Sequence, residues 1–281
     1  MVRPAALRQA VGFVQAQFEV SARRACRIVG CPRATWNYLA RKASSEGLVS
    51  RMKELAWQRP RFGYRRLHGL LRREGVVVNH KRVYRLYRIE GLSVRRKRRK
   101  RIAARARVAL PSATRPNQRW SMDFVSDSTG GGRRFRVWTI VDDFTRESLA
   151  LVVDTSLSGG RIGRELQKLI EARGRPELVV CDNGPEFTSK ALDEWAYKAS
   201  VAIHFIRPGK PVENAFIESF NGRFRDECLS MHWFADLQDA RRVIEAWRQD
   251  YNEVRPHSAL DGQTPQEYAD NFNLGLTLRV A

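Results

Sequence analysis

Three carboxylates interrupt or end apolar stretches of the chain. Asp123 breaks the run Trp120-Ser121-Met122-Asp123-Phe124-Val125, and Asp182 closes Leu178-Val179-Val180-Cys181 just before the turn Asn183-Gly184-Pro185. Glu218 lies on a helical stretch, Val212-Glu213-Asn214-Ala215-Phe216-Ile217-Glu218-Ser219-Phe220. Between Asp123 and Asp182 there are 58 residues, and between Asp182 and Glu218 there are 35. Two carboxylates at strand ends and a third on a helix make an oxygen-only ligand set suited to two Mg²⁺ ions, with Mn²⁺ as a substitute. Such a pair of ions activates a nucleophile against a phosphodiester, so the pattern points to a nuclease or strand-transfer enzyme.

The helical wheel of the third segment supports this reading. At 100° per residue, Ile217, Phe220, Phe224 and Cys228 form an apolar stripe, and Asn214, Glu218, Asn221 and Arg225 form a polar stripe beside it. Glu218 then stands at the rim of the buried face. Arg225, two turns later, points the same way and is suited to hold a DNA phosphate. Neighbouring acids have simpler readings. Asp142 and Asp143 end a strand and suit a turn cap, Glu213 suits a first helical turn, and Glu186 follows Asp182 closely enough to support it.

The elements that must position these residues divide the chain of 281 residues. Residues 1–114 carry a net charge of +24 and residues 115–281 a net charge of −3. A basic first part fits a polyanion, and a slightly acidic second part fits a metal centre. Leu7, Val11, Val14 and Phe18 predict one helix. Ser21 caps Ala22–Val29, Gly30 turns the chain, and Pro32 opens a helix predicted over Arg33–Arg41. That helix-turn-helix presents Arg33, Thr35, Trp36 and Asn37 to a DNA major groove. A second pair, Tyr64–Glu74 and His80–Glu90 with Asn79 as cap, repeats the pattern and presents Lys81, Arg82 and Arg85. The run Arg95, Arg96, Lys97, Arg98, Arg99, Lys100, Arg101 is suited to phosphates without sequence preference.

After Pro111 and Pro116 the pattern changes to strands at Arg119–Ser126, Arg134–Val141, Leu149–Asp154, Leu178–Asp182 and Val201–Ile206. Helices are expected at Ile162–Ala172, Ser189–Ser200, Val212–Leu229 and Leu237–Asn252. The fold class expected is therefore α/β, a five-stranded mixed sheet with flanking helices, preceded by an all-α helix-turn-helix region. The domain limits expected are 1–45, 46–111 and 112–270, with 271–281 a tail. No apolar run is long enough to span a bilayer. The four cysteines, Cys26, Cys31, Cys181 and Cys228, lack metal-site spacing and read as small buried side chains in a reducing cytoplasm. No phosphate-binding G-x-x-x-x-G-K-[ST] loop is present, which argues against ATP as an energy source.

The motifs Trp120-Ser121-Met122-Asp123, Cys181-Asp182-Asn183-Gly184-Pro185-Glu186-Phe187 and Glu213 through Leu229 closely resemble those of bacterial insertion-sequence transposases with a retroviral-integrase-like core. Tyr251-Asn252-Glu253-Val254-Arg255-Pro256-His257 and Thr264-Pro265 match the same group, and the chain resembles the second-reading-frame (OrfB type) product of the IS-three family. The resemblance covers nearly the whole chain. It implies an RNase H-like fold, Asp123, Asp182 and Glu218 as the metal triad, and Arg225 at a basic position that often follows it. It also implies cleavage and strand transfer on double-stranded DNA at element ends, by a homo-oligomer on DNA or with an upstream-reading-frame product. The chain shows no sustained heptad pattern. Rival readings are a structure-specific nuclease and a non-catalytic DNA-binding regulator.

Overall fold

A computed structural model describes residues 4–38, 45–94, 111–207 and 214–280, with side chains described to Leu274. The basic run from Arg95 to Arg101, the expected end of the second helix at residues 39–41, and Glu213 lie outside the described residues. The chain divides into two compact units, residues 1–51 and 52–281.

In the first unit, α1 (Pro4–Phe18), α2 (Ala22–Val29) and α3 (Arg33–Trp36) enclose Val11, Ala25, Cys26 and Cys31. Ser21 accepts the Arg24 amide at 3.4 Å and so caps α2, while Gly30 at φ 69° supplies the left-handed turn that ends it. The third helix differs from expectation. It is helical only to Trp36, and Asn37 already serves as its C-cap. Trp36 is half-buried and packs against the small core of the unit. Arg33 and Asn37 are exposed and Thr35 is half-buried.

α4 (Glu46–Gln58) was not legible in the sequence pattern and buries only Met52 and Leu55. In the second unit α5 (Tyr64–Arg73) and α6 (His80–Ile89) form as expected. Leu67, Leu70 and Leu71 are the buried residues of α5 and Val83, Leu86 and Tyr87 those of α6, and Asn79 caps α6 by accepting the Lys81 amide at 2.8 Å. His68 bonds the Val78 carbonyl at 2.9 Å, a structural role.

The sheet comprises β1 (Arg119–Ser128), β2 (Arg134–Asp142), β3 (Ser148–Asp154), β4 (Leu178–Cys181) and β5 (Ala202–Phe205), in the order β3-β2-β1-β4-β5. β1 pairs antiparallel with β2 and parallel with β4, so the sheet is mixed as expected. In the β1–β2 loop, Gly130 leaves room for the exposed Trp233 ring, which a Cβ there would displace.

Alternation along the strands sends side chains to two cores. Trp120, Met122, Trp138, Ile140, Val179 and Cys181 face α7 (Gly159–Arg173) and α8 (Lys190–Ala199), which contribute Ile162, Leu166 and Leu192. Val125, Phe135, Val137, Leu151 and Val153 face α9 (Ala215–Glu227) and α10 (Leu237–Glu253), which contribute Ile217, Phe220, Phe224 and Ile244. The three layers give the expected α/β architecture. α11 (Pro265–Val280) continues through the segment expected as a tail, and Tyr268 and Phe272 pack on Phe144.

Candidate active site

Asp123 and Asp182 owe their proximity to strand register. β1 and β4 pair in parallel through Arg119 with Leu178, Trp120 with Val179 and Ser121 with Val180. Asp123 and Asp182 each follow the last of these pairs by two residues, and the charge of Asp182 acts on Asp123. Val125, two residues beyond Asp123, packs in the core shared with α9, so both acids belong to the face that α9 covers.

Burial raises the Asp123 carboxyl above the ordinary carboxylate range, and the like charge of Asp182 adds to the rise. The amide of Phe124, the Asn221 side chain and the charge of Arg225 act in the opposite direction. Asn221 is buried and its Nδ2 donates to Asp123 Oδ2 at 2.8 Å. Its Oδ1 and that of Asn214, also buried, have no hydrogen-bond partner. The polar stripe read from the sequence thus lies against β1, with Asn214 donating to the Met122 carbonyl at 3.5 Å.

Glu218 is exposed on the first turn of α9, and its carboxyl is raised by partial burial alone. Among the described residues no three His, Cys, Asp or Glu side chains come together closely enough to hold a metal ion. The structure therefore joins Asp123 to Asp182 and leaves Glu218 apart, on the helix whose Asn221 touches Asp123. Arg225 is exposed, and its charge reaches Asp123.

The other acids are structural. Asp142 accepts the amides of Asn117, Phe144 and Thr145, the turn cap expected. Asp143 pairs with Arg119, and Glu186 with Arg136. All four cysteines are free and buried, and burial pushes the Cys181 and Cys228 thiols up to about 12. Lys81, Arg82 and Arg85 lie on α6, with Lys81 and Arg85 exposed and Arg82 half-buried.

The sequence pattern alone assigns no role to Glu227, Arg255 or His257. Arg255 is only 2% exposed and makes two 2.7 Å bonds to Glu227, which also receives Arg66 of α5 at 2.7 Å. Arg255 also meets His257 Nε2 at 3.0 Å. Burial and the surrounding guanidinium groups lower His257 to about 2. Arg59 binds Asp250 and Arg73 binds Glu267, so paired charges tie the segment around α5 to the sheet-bearing core.

A mixed sheet with paired acids at the β1–β4 junction, covered by a polar-edged helix, defines an integrase-type core. The integrase core domain family matches residues 113–211 and 199–265, and an HTH-like domain family matches residues 44–100. The chain is 52% identical over 259 residues to the uncharacterized 31.7 kDa protein of insertion element IS407 from Burkholderia multivorans, covering 91% of this chain and 93% of that one. It is 44% identical to the 39.2 kDa protein of insertion element IS476 from Xanthomonas euvesicatoria, covering 96% and 78%. Transposase InsD for insertion element IS2A/D/F/H/I/K of Escherichia coli is 29% identical, covering 82% and 80%. The fold is similar to that in the simian T-cell lymphotropic virus intasome, at a TM-score of 0.52 and 14% identity over 78% of this chain and 74% of that one. The chain belongs to the bacterial insertion-element transposases, and its function is DNA transposition. No helix among the described residues is long and apolar enough to cross a membrane.

Proposed function

We propose that Asp123, Asp182 and Glu218 hold two divalent cations and that this centre cleaves and joins DNA strands at the element's ends. The observation that supports the reading is the parallel pairing of β1 with β4, which leads into Asp123 and Asp182, together with the action of the Asp182 charge on Asp123. The donor set fits Mg²⁺ or Mn²⁺: it is all carboxylate oxygen, and two like charges side by side on a partly buried face need a cation between them. Bound there, such cations supply Lewis-acid activation of water or a DNA 3′-hydroxyl and stabilise the leaving oxygen.

The remaining work falls to the chain's own side chains. Asn221 fixes one oxygen of Asp123 and so orients the carboxylate. α9 carries Glu218 at the rim of the same face, and its carboxylate would be drawn toward the other two by a bound cation. Arg225 projects from that stripe and holds a phosphate of the strand being cut. Arg33, Thr35, Asn37, Lys81, Arg82, Arg85 and the basic run Arg95–Arg101 contact duplex DNA. The active form is a homo-oligomer on DNA.

The test is strand cleavage with purified full-length protein and Mg²⁺. Asp123→Asn, Asp182→Asn and Glu218→Gln each abolish cleavage and leave duplex binding largely intact. Cleavage retained by one variant removes that residue from the centre. Arg225→Ala weakens cleavage while metal binding survives.

A further inference from the structure

On α9, Arg223 follows Glu218 by five residues, which places it about 140° round the helix from the carboxylate stripe. That second side of α9 borders a cleft of about 910 Å³ between α5, α6 and the loop after α10. Arg65, Arg66, Arg88, Arg223 and Arg255 line it, and among the described residues no acidic one does. Glu227 lies beneath and pairs with Arg66 and Arg255 together, one carboxylate for two guanidinium groups. Among the described residues Arg65, Arg88 and Arg223 have no carboxylate partner. Arg65 and Arg88 are instead held by tyrosine hydroxyls, those of Tyr64 at 3.2 Å and Tyr84 at 3.4 Å.

The cleft continues into a second depression of about 180 Å³ through the shared residues Arg223, His257 and Ala259. Its far wall is Arg146, stacked 3.8 Å above the Phe216 ring centre, with Nη1 buried and unpartnered. A buried guanidinium nitrogen without an acceptor is costly unless a ligand oxygen meets it. His257, kept neutral among these cations, adds no repulsion to them, and with Nε2 accepting from Arg255 its Nδ1 is left as a donor.

We propose that this groove is a second DNA site, which binds the phosphodiester backbone of a duplex segment away from the bond being cut. An unbalanced row of arginines matches closely spaced phosphates, and its length over two joined depressions exceeds what one small anion fills. The adjoining depression beyond Arg66 adds Arg72 and Arg73 but also Asp261 and Glu267, so its charge is mixed where that of the cleft is not. The inference rests on the transposase reading but not on the carboxylate centre, because it is read without metal.

The experiment measures binding of the full chain to a random duplex of about 30 base pairs over a salt series in EDTA, together with cross-linking. Both arginines of Arg65→Gln/Arg88→Gln are exposed and carry no ion pair among the described residues, so the fold survives. This double variant flattens the log–log salt slope by roughly 1 to 2, at about 0.9 for each phosphate no longer neutralised. Arg164→Gln, at an exposed position of α7, leaves the slope as it was. Because the four native cysteines are buried, a photo-cross-linker can be directed to Ala259→Cys. It captures duplex in the parent background and loses capture with Arg65→Gln/Arg88→Gln, and a linker at Lys198→Cys on α8 captures none. An unchanged slope together with no cross-link at Ala259→Cys overturns the groove while leaving the transposase reading intact. No duplex binding by the parent protein at all overturns both. If inorganic pyrophosphate raises the melting temperature of the parent but not of the double variant, and Ala259→Cys captures no duplex, the groove takes a small phosphate and the duplex proposal falls.

Discussion

Asp123 is a charged residue in the middle of a sheet, and two neighbours make it tolerable there. The Phe124 amide donates to its Oδ1 at 2.7 Å, and the Asn221 amide donates to its Oδ2 at 2.8 Å. Asn221 keeps its own Oδ1 buried and unpaired, a cost expected of a residue retained for the site and not for packing. Asn221→Leu keeps the volume and removes the donor. It should lower Mg²⁺-dependent cleavage by about 10- to 100-fold and raise the Mg²⁺ concentration needed for half-maximal rate. A variant with the parent's rate and metal dependence would show that Asp123 needs no such orientation. Asp123 and Asp182 were legible in the sequence because each breaks an apolar run. The hydrogen bond from Asn221 was not, since it joins residues 98 apart and depends on how α9 lies on β1.

At the level of elements, α9 does three jobs on three sides. Ile217, Phe220 and Phe224 bury one side, Asn214, Asn221 and Arg225 edge the carboxylates, and Arg223 opens onto the basic cleft. Its C-terminal Glu227 joins Arg66 of α5 to Arg255. Glu227→Ala leaves a buried guanidinium without its counter-charge and should cost about 3–5 kcal/mol of stability, read by denaturant unfolding. A loss below about 1 kcal/mol, as for an exposed pair, would mean that the network is solvated. His257 gives this region a pH signature. Its folded value, about 2, lies below the ordinary 6.5, so the unfolded chain binds the proton more readily. Its contribution is full above pH ~6.5 and is lost as pH falls below it, by at most about 1.4 kcal/mol per unit. His257→Asn should flatten the fall in melting temperature between about pH 6.5 and 5. An equally steep fall in that variant would assign the dependence elsewhere. The helices with strong caps and clean periodicity, α2, α5 and α6, could be read from sequence. α4 could not, because it buries only two residues, nor could α11, whose aromatic anchors find Phe144 only in the folded core.

For the whole molecule, charge and compactness divide the chain at different places. Positive charge is concentrated before residue 115, yet the compact units meet at residue 51, so α5 and α6 fold with the sheet. The composition shift near Pro111 suggested a boundary. It could not reveal that Arg59, Arg66 and Arg73 would find Asp250, Glu227 and Glu267 across it. A fragment of residues 112–281 lacks all three arginines and should melt well below a fragment of residues 52–281, by about 2–4 °C for each kcal/mol of stability removed. Equal melting temperatures would show that the basic helices are energetically separate from the core. The five strands and the mixed α/β class, by contrast, could be read from the strand pattern, since alternation and hairpin spacing are local. The parallel pairing of β1 with β4 could not, because it joins residues far apart in the chain.

The central claim joins Glu218, which stands apart, to the adjoining pair Asp123 and Asp182. Calorimetric titration of full-length protein with Mn²⁺ tests it most directly. The account predicts two bound ions per chain in the parent protein, with binding weakened at least about tenfold in Asp123→Asn, Asp182→Asn and Glu218→Gln alike. Parent-like Mn²⁺ binding by Glu218→Gln would contradict it.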